Sequence, residues 1–251
     1  MISKAKLKLV RSLEQKKYRK QEGLFVAEGP KVVGDLLAVM PVREVFATRQ
    51  WVEQNAHRYP TTPLTEISDE ELRKLSFLQH PQQVVGVFPI AEPETPANIA
   101  DSLSLALDGV QDPGNLGTII RIADWFGIET IYCSEDTADV FNPKVVQATM
   151  GSIARVKLVY TDLATLIDSL PEGTPVCGTL LNGENIYEQQ LPQRGLIVMG
   201  NEGKGISAEI AGKVNRRLLI PNFPPERPTA DSLNVAIATA ITCAEFRRQA
   251  R

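Results

Sequence analysis

An arginine in an apolar stretch is the first residue of this chain that invites a chemical question. Arg121 closes the segment DPGNLGTIIR (residues 112–121) and stands among Ile119, Ile120, Ile122 and Ala123. A charge in such a setting has a fixed partner, because burying it alone is costly. Two kinds of partner suit it. One is an intramolecular carboxylate, Asp124 or Asp108; the other is a phosphate, which the planar fork of arginine grips with parallel hydrogen bonds. Asn115 lies six residues earlier, off the face of Arg121 at 3.6 residues per turn, and reads as the N-cap of the following helix. A second segment, VMGNEGKGIS (residues 198–207), sets Gly200, Gly203 and Gly205 around Asn201 and Glu202. One glycine would serve an ordinary tight turn, whereas three within six residues let a ligand reach the main chain. A third segment, residues 219–241, contains Asp231-Ser232-Leu233-Asn234. Asp231 or Ser232 would cap a helix there and put Asn234 in its first turn, where it can reach out of the helix end.

The spacings exclude the common nucleotide loops. Between Gly200 and the Gly203-Lys204 pair stand only Asn201 and Glu202, too few for a Walker loop, and the three glycines read GxxGxG rather than GxGxxG. What remains is a strand, a glycine-rich turn and a helix, and loops at strand ends are where open α/β sheets bind ligands.

The elements that must position these loops alternate. Strands are expected at residues 24–28, 42–47 and 84–88, with helices from Gly29-Pro30 to 39, over 50–59, and from a Ser68 cap to 78. After the proline-bearing, aperiodic stretch 91–102, strands are expected at 103–107, 130–133, 156–160, 176–180, 196–199 and 217–220. Helices are expected at 116–126, 143–150, 163–170, 208–214 and 232–248. Apolar strands alternating with helices predict an α/β fold with a mostly parallel sheet covered on both faces. The division is residues 1–95, a linker at 96–102, and 103–251.

The 251 residues, 43% hydrophobic and 23% charged, are those of a globular protein, and a net charge of −3 argues against a uniformly basic coat. The first twenty residues differ: Lys4, Lys6, Lys8, Arg11, Lys16, Lys17, Arg19 and Lys20 crowd there against Glu14 alone. Phosphate is one counterpart of such a surface. Leu7, Val10, Leu13 and Lys17 also fall at helical spacing, so the plain reading is one solvated amphipathic helix. Cys133, Cys177 and Cys243 are far apart, and His57 and His80 stand in no ligand pattern, so no metal site is expected, and a reducing cytoplasm is. No secretory signal is expected, and no apolar run reaches the ~18 residues of a membrane span.

In this order the three segments resemble the motifs of the SpoU/TrmH family of SPOUT RNA methyltransferases. The resemblance rests on Asn115-Leu116-Gly117 with Arg121, on Met199-Gly200-Asn201-Glu202-Gly203 with Gly205, and on Ile220-Pro221 followed by Ser232-Leu233-Asn234-Val235. It spans residues 103–248, and residues 11–37 more loosely resemble the RNA-substrate-binding domain that precedes it in many members. It implies methyl transfer from S-adenosylmethionine to a ribose 2′-hydroxyl of RNA, ribosomal or transfer, in a cytoplasmic homodimer. It also implies a deep trefoil knot in the C-terminal sheet, against the usual rule, behind a smaller α/β RNA-binding domain. Positions matching cofactor contacts are Gly200, Ile220, Leu233, Ser232 and Thr179. Arg121 is implied to be catalytic. Because a guanidinium holds its proton far above neutrality, its expected part is to fix a phosphate and stabilise alkoxide charge. Glu202 is the motif carboxylate able to accept a proton, with Asn115 and Asn234 as orienting groups. Lys16, Lys17, Arg19 and Lys20 are the expected RNA contacts. The chain departs from the family at Gln147, where arginine is common, at Asp231, Ala236, and in the long loop 222–229. An RNA-binding protein of the same fold without catalysis is the alternative.

Overall fold

The computed structural model describes residues 2–90, 98–224 and 230–250. By its own contacts the chain forms two compact units, one of Met1–Pro93 with Asp139–Ala154, the other of Glu94–Ala138 with Arg155–Arg251.

The first unit holds α1 (Lys4–Ser12), α2 (Lys16–Glu22), β1 (Leu24–Glu28), α3 (Pro30–Leu37), β2 (Glu44–Ala47), α4 (Arg49–Asn55), β3 (Leu64–Glu66), α5 (Asp69–Leu75) and β4 (Val84–Pro89). Its four-stranded sheet runs β1-β4-β2-β3, with β4 antiparallel to both neighbours and β3 parallel to β2. The short β3 escapes a sequence reading because Leu64-Thr65-Glu66 is too brief to show alternation. At α5 the expected cap is present in full: Ser68 accepts from the Glu71 N–H while Glu71 reaches back to the Ser68 N–H. The segment that carries Phe141 and Val146, placed by sequence with the second part, belongs to this unit. The Phe141 ring packs tilted against Phe25 with centroids 4.8 Å apart, and Val146 lies in one core with Val33 and Phe88. Of the linker expected at 96–102, residues 96 and 97 lie outside the described residues, whereas Ile99 is buried in the core of the second unit and its carbonyl accepts from the Gly195 N–H.

The basic N-terminal stretch is two helices rather than one. The chain turns after Leu13, and Val10 and Leu13 enter the core while Lys17 stays exposed. Arg19 corrects the expectation that it contacts RNA. It is 2% exposed, donates to the Leu13 and Glu14 carbonyls, and pairs with Asp139 at 2.6 Å. These acceptors tie the α1–α2 turn to residue 139, so its charge is already spent; Lys16, Lys17 and Lys20 remain exposed. Breaking a buried pair leaves an uncompensated charge and costs about 3–5 kcal/mol. Arg19→Ala is therefore expected to lower the unfolding free energy by that much, read as a fall in denaturant midpoint, and an unchanged midpoint would show the pair to be idle.

The second unit is built on β5 (Leu103–Asp108), α6 (Pro113–Trp125), β6 (Thr130–Cys133), β7 (Lys157–Tyr160), α8 (Leu163–Asp168), β8 (Val176–Asn185), β9 (Gly195–Gly200), α9 (Ala208–Lys213), β10 (Arg216–Leu219) and α10 (Val235–Arg248), while α7 (Pro143–Ala148) lies in the first. Its sheet has the order β10-β8-β9-β5-β6-β7 and every pairing is parallel. Parallel strands covered by helices are buried on both faces, as β5, β6 and β9 are over nearly their whole length. Their C-terminal ends, at Asp108 and Gly200, lie side by side. This end of the sheet carries the glycine loops.

Candidate active site

Each functional residue is delivered by a strand end or a helix start. β5 ends at Asp108, and the chain passes Gly109 into α6, whose cap is Asp112 rather than the expected Asn115: Asp112 Oδ1 accepts from the Asn115 N–H at 2.8 Å. Pro113 occupies the first turn, where its missing N–H costs nothing. Asp-Pro at a helix start was a readable signal. Leu116, Ile119, Ile120 and Ala123 bury one face of α6, which leaves Arg121 on the solvent side. The apolar neighbours in sequence are thus not its neighbours in space.

On β9 the chain ends at Gly200 and folds back in a turn pinned by Asn201. The Asn201 and Gly205 main chains exchange two hydrogen bonds of 2.9 Å. Asn201 Oδ1 accepts from the Gly203 and Lys204 N–H groups, and its Nδ2 donates to the Gly109 carbonyl at 2.6 Å. Asn201 is a positioning residue that the sequence reading left without a role; asparagine two places before glycine is its turn signature. Gly200 is glycine because a Cβ there would lie 2.2 Å from the Gly205 carbonyl carbon. Its bareness serves the turn itself, not the approach of a ligand.

At α10 the cap is Asn234, not Asp231 or Ser232, and the helix starts at Val235. Asn234 Oδ1 accepts from the Ala236 and Ile237 N–H groups, while its Nδ2 donates 2.9 Å to Asn115 Oδ1. Asn115 Nδ2 in turn donates 3.0 Å to Glu202 Oε1. The chain Asn234→Asn115→Glu202 has one direction only. It starts on an oxygen held by main-chain donors and ends on a carboxylate that can only accept, so neither amide can flip. Three loops distant in sequence meet here. One further N–H on each amide stays available.

Beside this network lies a cleft of about 510 Å³, lined by main chain and mostly apolar side chains of 179–182, 199–206, 218–220 and 231–238. Gly200, Ile220, Leu233, Ser232 and Thr179 all line it. The volume is that of a small-molecule site.

Comparison with known proteins decides the family. The SpoU rRNA Methylase family model matches residues 102–244, more than half of the chain. The chain belongs to the SpoU rRNA methylase family. The MRM3-like substrate binding domain matches residues 4–86. The 23S rRNA (guanosine(2553)-2'-O)-methyltransferase RlmP of Bacillus subtilis is 32% identical over 250 residues, covering 96% of both chains. A putative RNA methyltransferase of the TrmH family from Porphyromonas gingivalis superposes with a TM-score of 0.88 at 40% identity, over 99% of both chains. An AdoMet-bound rRNA methyltransferase from Sinorhizobium meliloti does so at 0.84 and 32%, over 99% of this chain and 96% of that one.

The cofactor of this chain is S-adenosylmethionine, and the lining of the cleft fits it. Leu180, Met199, Ile206, Leu218 and Ile220 offer an apolar bed for an adenine ring, with main-chain groups of three loops for its polar edge. Arg121 makes no ion pair among the described residues. Asp124, one proposed partner, is bound by Arg155 at 2.7 Å, and Asp108, the other, accepts from the Ser207 N–H at 2.7 Å. The intramolecular-pair reading of Arg121 therefore falls.

Glu202 is the carboxylate of the network, and its oxygens are occupied. Besides Asn115, the Asp112 N–H donates at 3.1 Å and the Gln111 N–H at 3.3 Å. Partial burial pushes its pKa up, but the hydrogen bonds from Asn115 and the main chain outweigh burial and hold it below the usual carboxylate value. A depressed carboxylate is a weak base at neutral pH. By linkage its contribution to stability is present above the unfolded value of 4.5 and is lost as pH falls through the folded one. Activity between about pH 6 and 9 should thus show no inflection from Glu202. Glu202→Gln, which turns an amide toward N–H donors, should lower the rate without changing the shape of the pH profile. Loss of an acidic limb in that variant would make Glu202 the base after all.

Proposed function

We propose that the reaction of this chain, S-adenosylmethionine-dependent methylation of an RNA ribose 2′-hydroxyl, acts on ribosomal RNA and is run by Arg121 beside the Asn234–Asn115–Glu202 network. The observation that carries the reading is an unpaired guanidinium on the helix whose start is hydrogen-bonded to the turn lining the cofactor cleft. When bound, S-adenosylmethionine supplies an electrophilic methyl carbon on a sulfonium. The chain must present the hydroxyl and make it nucleophilic. Arg121 holds an RNA phosphate through its fork and stabilises the oxygen as its proton leaves to solvent. Asn115 and Asn234 orient the ribose with the N–H groups their mutual bonds leave over. Glu202 acts as the strut that fixes Asn115. The exposed Lys16, Lys17 and Lys20 on α2 add sequence-independent attraction for the phosphate chain.

Transfer of labelled methyl from S-adenosylmethionine to a ribosomal RNA transcript, with ribose methylation mapped afterwards, tests the reaction. A 2′-deoxy substitution at the mapped position must abolish it. Absence of transfer to ribosomal RNA, with transfer to tRNA instead, would overturn the substrate.

The working form in this reading is a homodimer whose second unit is threaded in a trefoil knot. Helices α6 and α10 run side by side in parallel, joined at their starts by Asn234–Asn115 and at their ends by Arg247, which donates to the Phe126 and Gly127 carbonyls. Trp125 is left 85% exposed on α6 and Ile237 52% on α10, apolar surface that a second copy would cover. Trp125→Glu should convert the dimer to a monomer in light scattering. A wild-type monomer would refute the dimer, and an untied chain path in a crystal structure would refute the knot.

A further inference from the structure

We propose that Lys204, at the tip of the Asn201–Gly205 turn, holds a backbone phosphate of the substrate RNA at the rim of the cofactor cleft. The inference rests on the RNA-methylation reading above.

Among the described residues that line the cleft, Lys204 is the sole cation. It is exposed and forms no ion pair among the described residues. Its main chain is held rigidly, because its N–H is one of the two that Asn201 Oδ1 accepts. A side chain rooted on an ordered turn costs less to engage than one on a mobile loop.

The glycine beside it supplies the second observation. Gly205 is needed for its backbone, with φ at +68°, and Gly200 for the close return of the chain. Gly203 has neither reason. Its φ lies outside the left-handed region, and a Cβ would meet nothing nearer than Asn201 Oδ1 at 3.7 Å, an ordinary contact. The fold thus leaves a bare surface next to Lys204 that its own packing does not require. A glycine of this kind admits the close approach of another backbone. A phosphodiester chain passing there would meet the Lys204 ammonium. The same turn carries Glu202, bonded to Asn115 on the helix of Arg121. Two cations without an ion pair among the described residues, Arg121 and Lys204, therefore stand on the two elements that this bond joins.

The test uses the full chain and a ribosomal RNA transcript that the wild type methylates. For Lys204→Ala, RNA affinity at low salt should fall about 10-fold, and the slope of log affinity against log salt should shrink by roughly one counterion. Calorimetry should find S-adenosylmethionine binding unchanged. Gly203→Ala, whose Cβ would make only an ordinary contact with Asn201 Oδ1, should weaken RNA binding by crowding the phosphate path. An unaltered salt slope in Lys204→Ala would overturn the proposal. So would a loss of cofactor affinity in that variant, which would assign the ammonium to the cofactor carboxylate instead. A wild-type chain that transfers no methyl to any RNA would defeat the functional reading rather than this one.

Discussion

Replacing Arg121 with alanine is expected to slow methyl transfer by roughly 100- to 1,000-fold, the usual loss on removing a group that stabilises developing negative charge. Binding of S-adenosylmethionine should be untouched, since Arg121 is not among the residues lining the cleft. The fold should also persist, because the side chain is exposed and its removal breaks no ion pair among the described residues. Arg121→Lys separates charge from geometry. A lysine keeps the charge but loses the planar fork, so partial activity with weakened RNA binding would favour the phosphate grip. Single-turnover rates at saturating RNA, set beside cofactor calorimetry, make the distinction. Near-normal single-turnover rates in Arg121→Ala would remove it from the reaction.

Gly200→Ala is the second large effect, and it should act on the cofactor rather than the chemistry. The added methyl would sit 2.2 Å from both the Gly205 carbonyl carbon and the Ile206 nitrogen. All three residues line the cleft, so relief of the clash must open the turn. The paired bonds between Asn201 and Gly205 would be lost with it. Calorimetry with S-adenosylmethionine should therefore show a clear loss of affinity. Gly205→Ala makes the comparison: its Cβ would meet nothing within 4 Å, and only the positive φ opposes it. That strain is about 1–2 kcal/mol, so its effect should be clearly the smaller. Equal losses in the two variants would mean that backbone conformation, not the close return of the chain, governs the turn.

The two helix starts show where local reading ended. Both Asn115 and Asn234 are cap-type residues, and their sequences allow several cap positions within a few residues. Asp112 took the cap of α6 because Pro113 fixes the first turn after it. Asn234 took that of α10 because its amide nitrogen finds Asn115 at the same time. No local signal contains the second half of that choice. Arg121 and Arg19 exchanged their expected surroundings for a related reason. A run of isoleucines beside Arg121 suggested burial, yet helical rotation turns those side chains inward and the guanidinium out. A run of lysines beside Arg19 suggested a solvated surface, yet Asp139, 120 residues away, draws it into the core.

By itself the sequence determined the alternation of strands and helices, the parallel character of the second sheet and the family, through three short motifs whose residue types are dictated by main-chain geometry. Those are local or near-local matters, set by period, capping and glycine. Tertiary structure alone decided that Glu202 is a spent acceptor, that Arg121 meets no carboxylate among the described residues, and that residues 139–154 pack with the first unit. Each of these depends on which groups from distant parts of the chain arrive within hydrogen-bonding or packing distance, and spacing along one strand or helix carries no record of that.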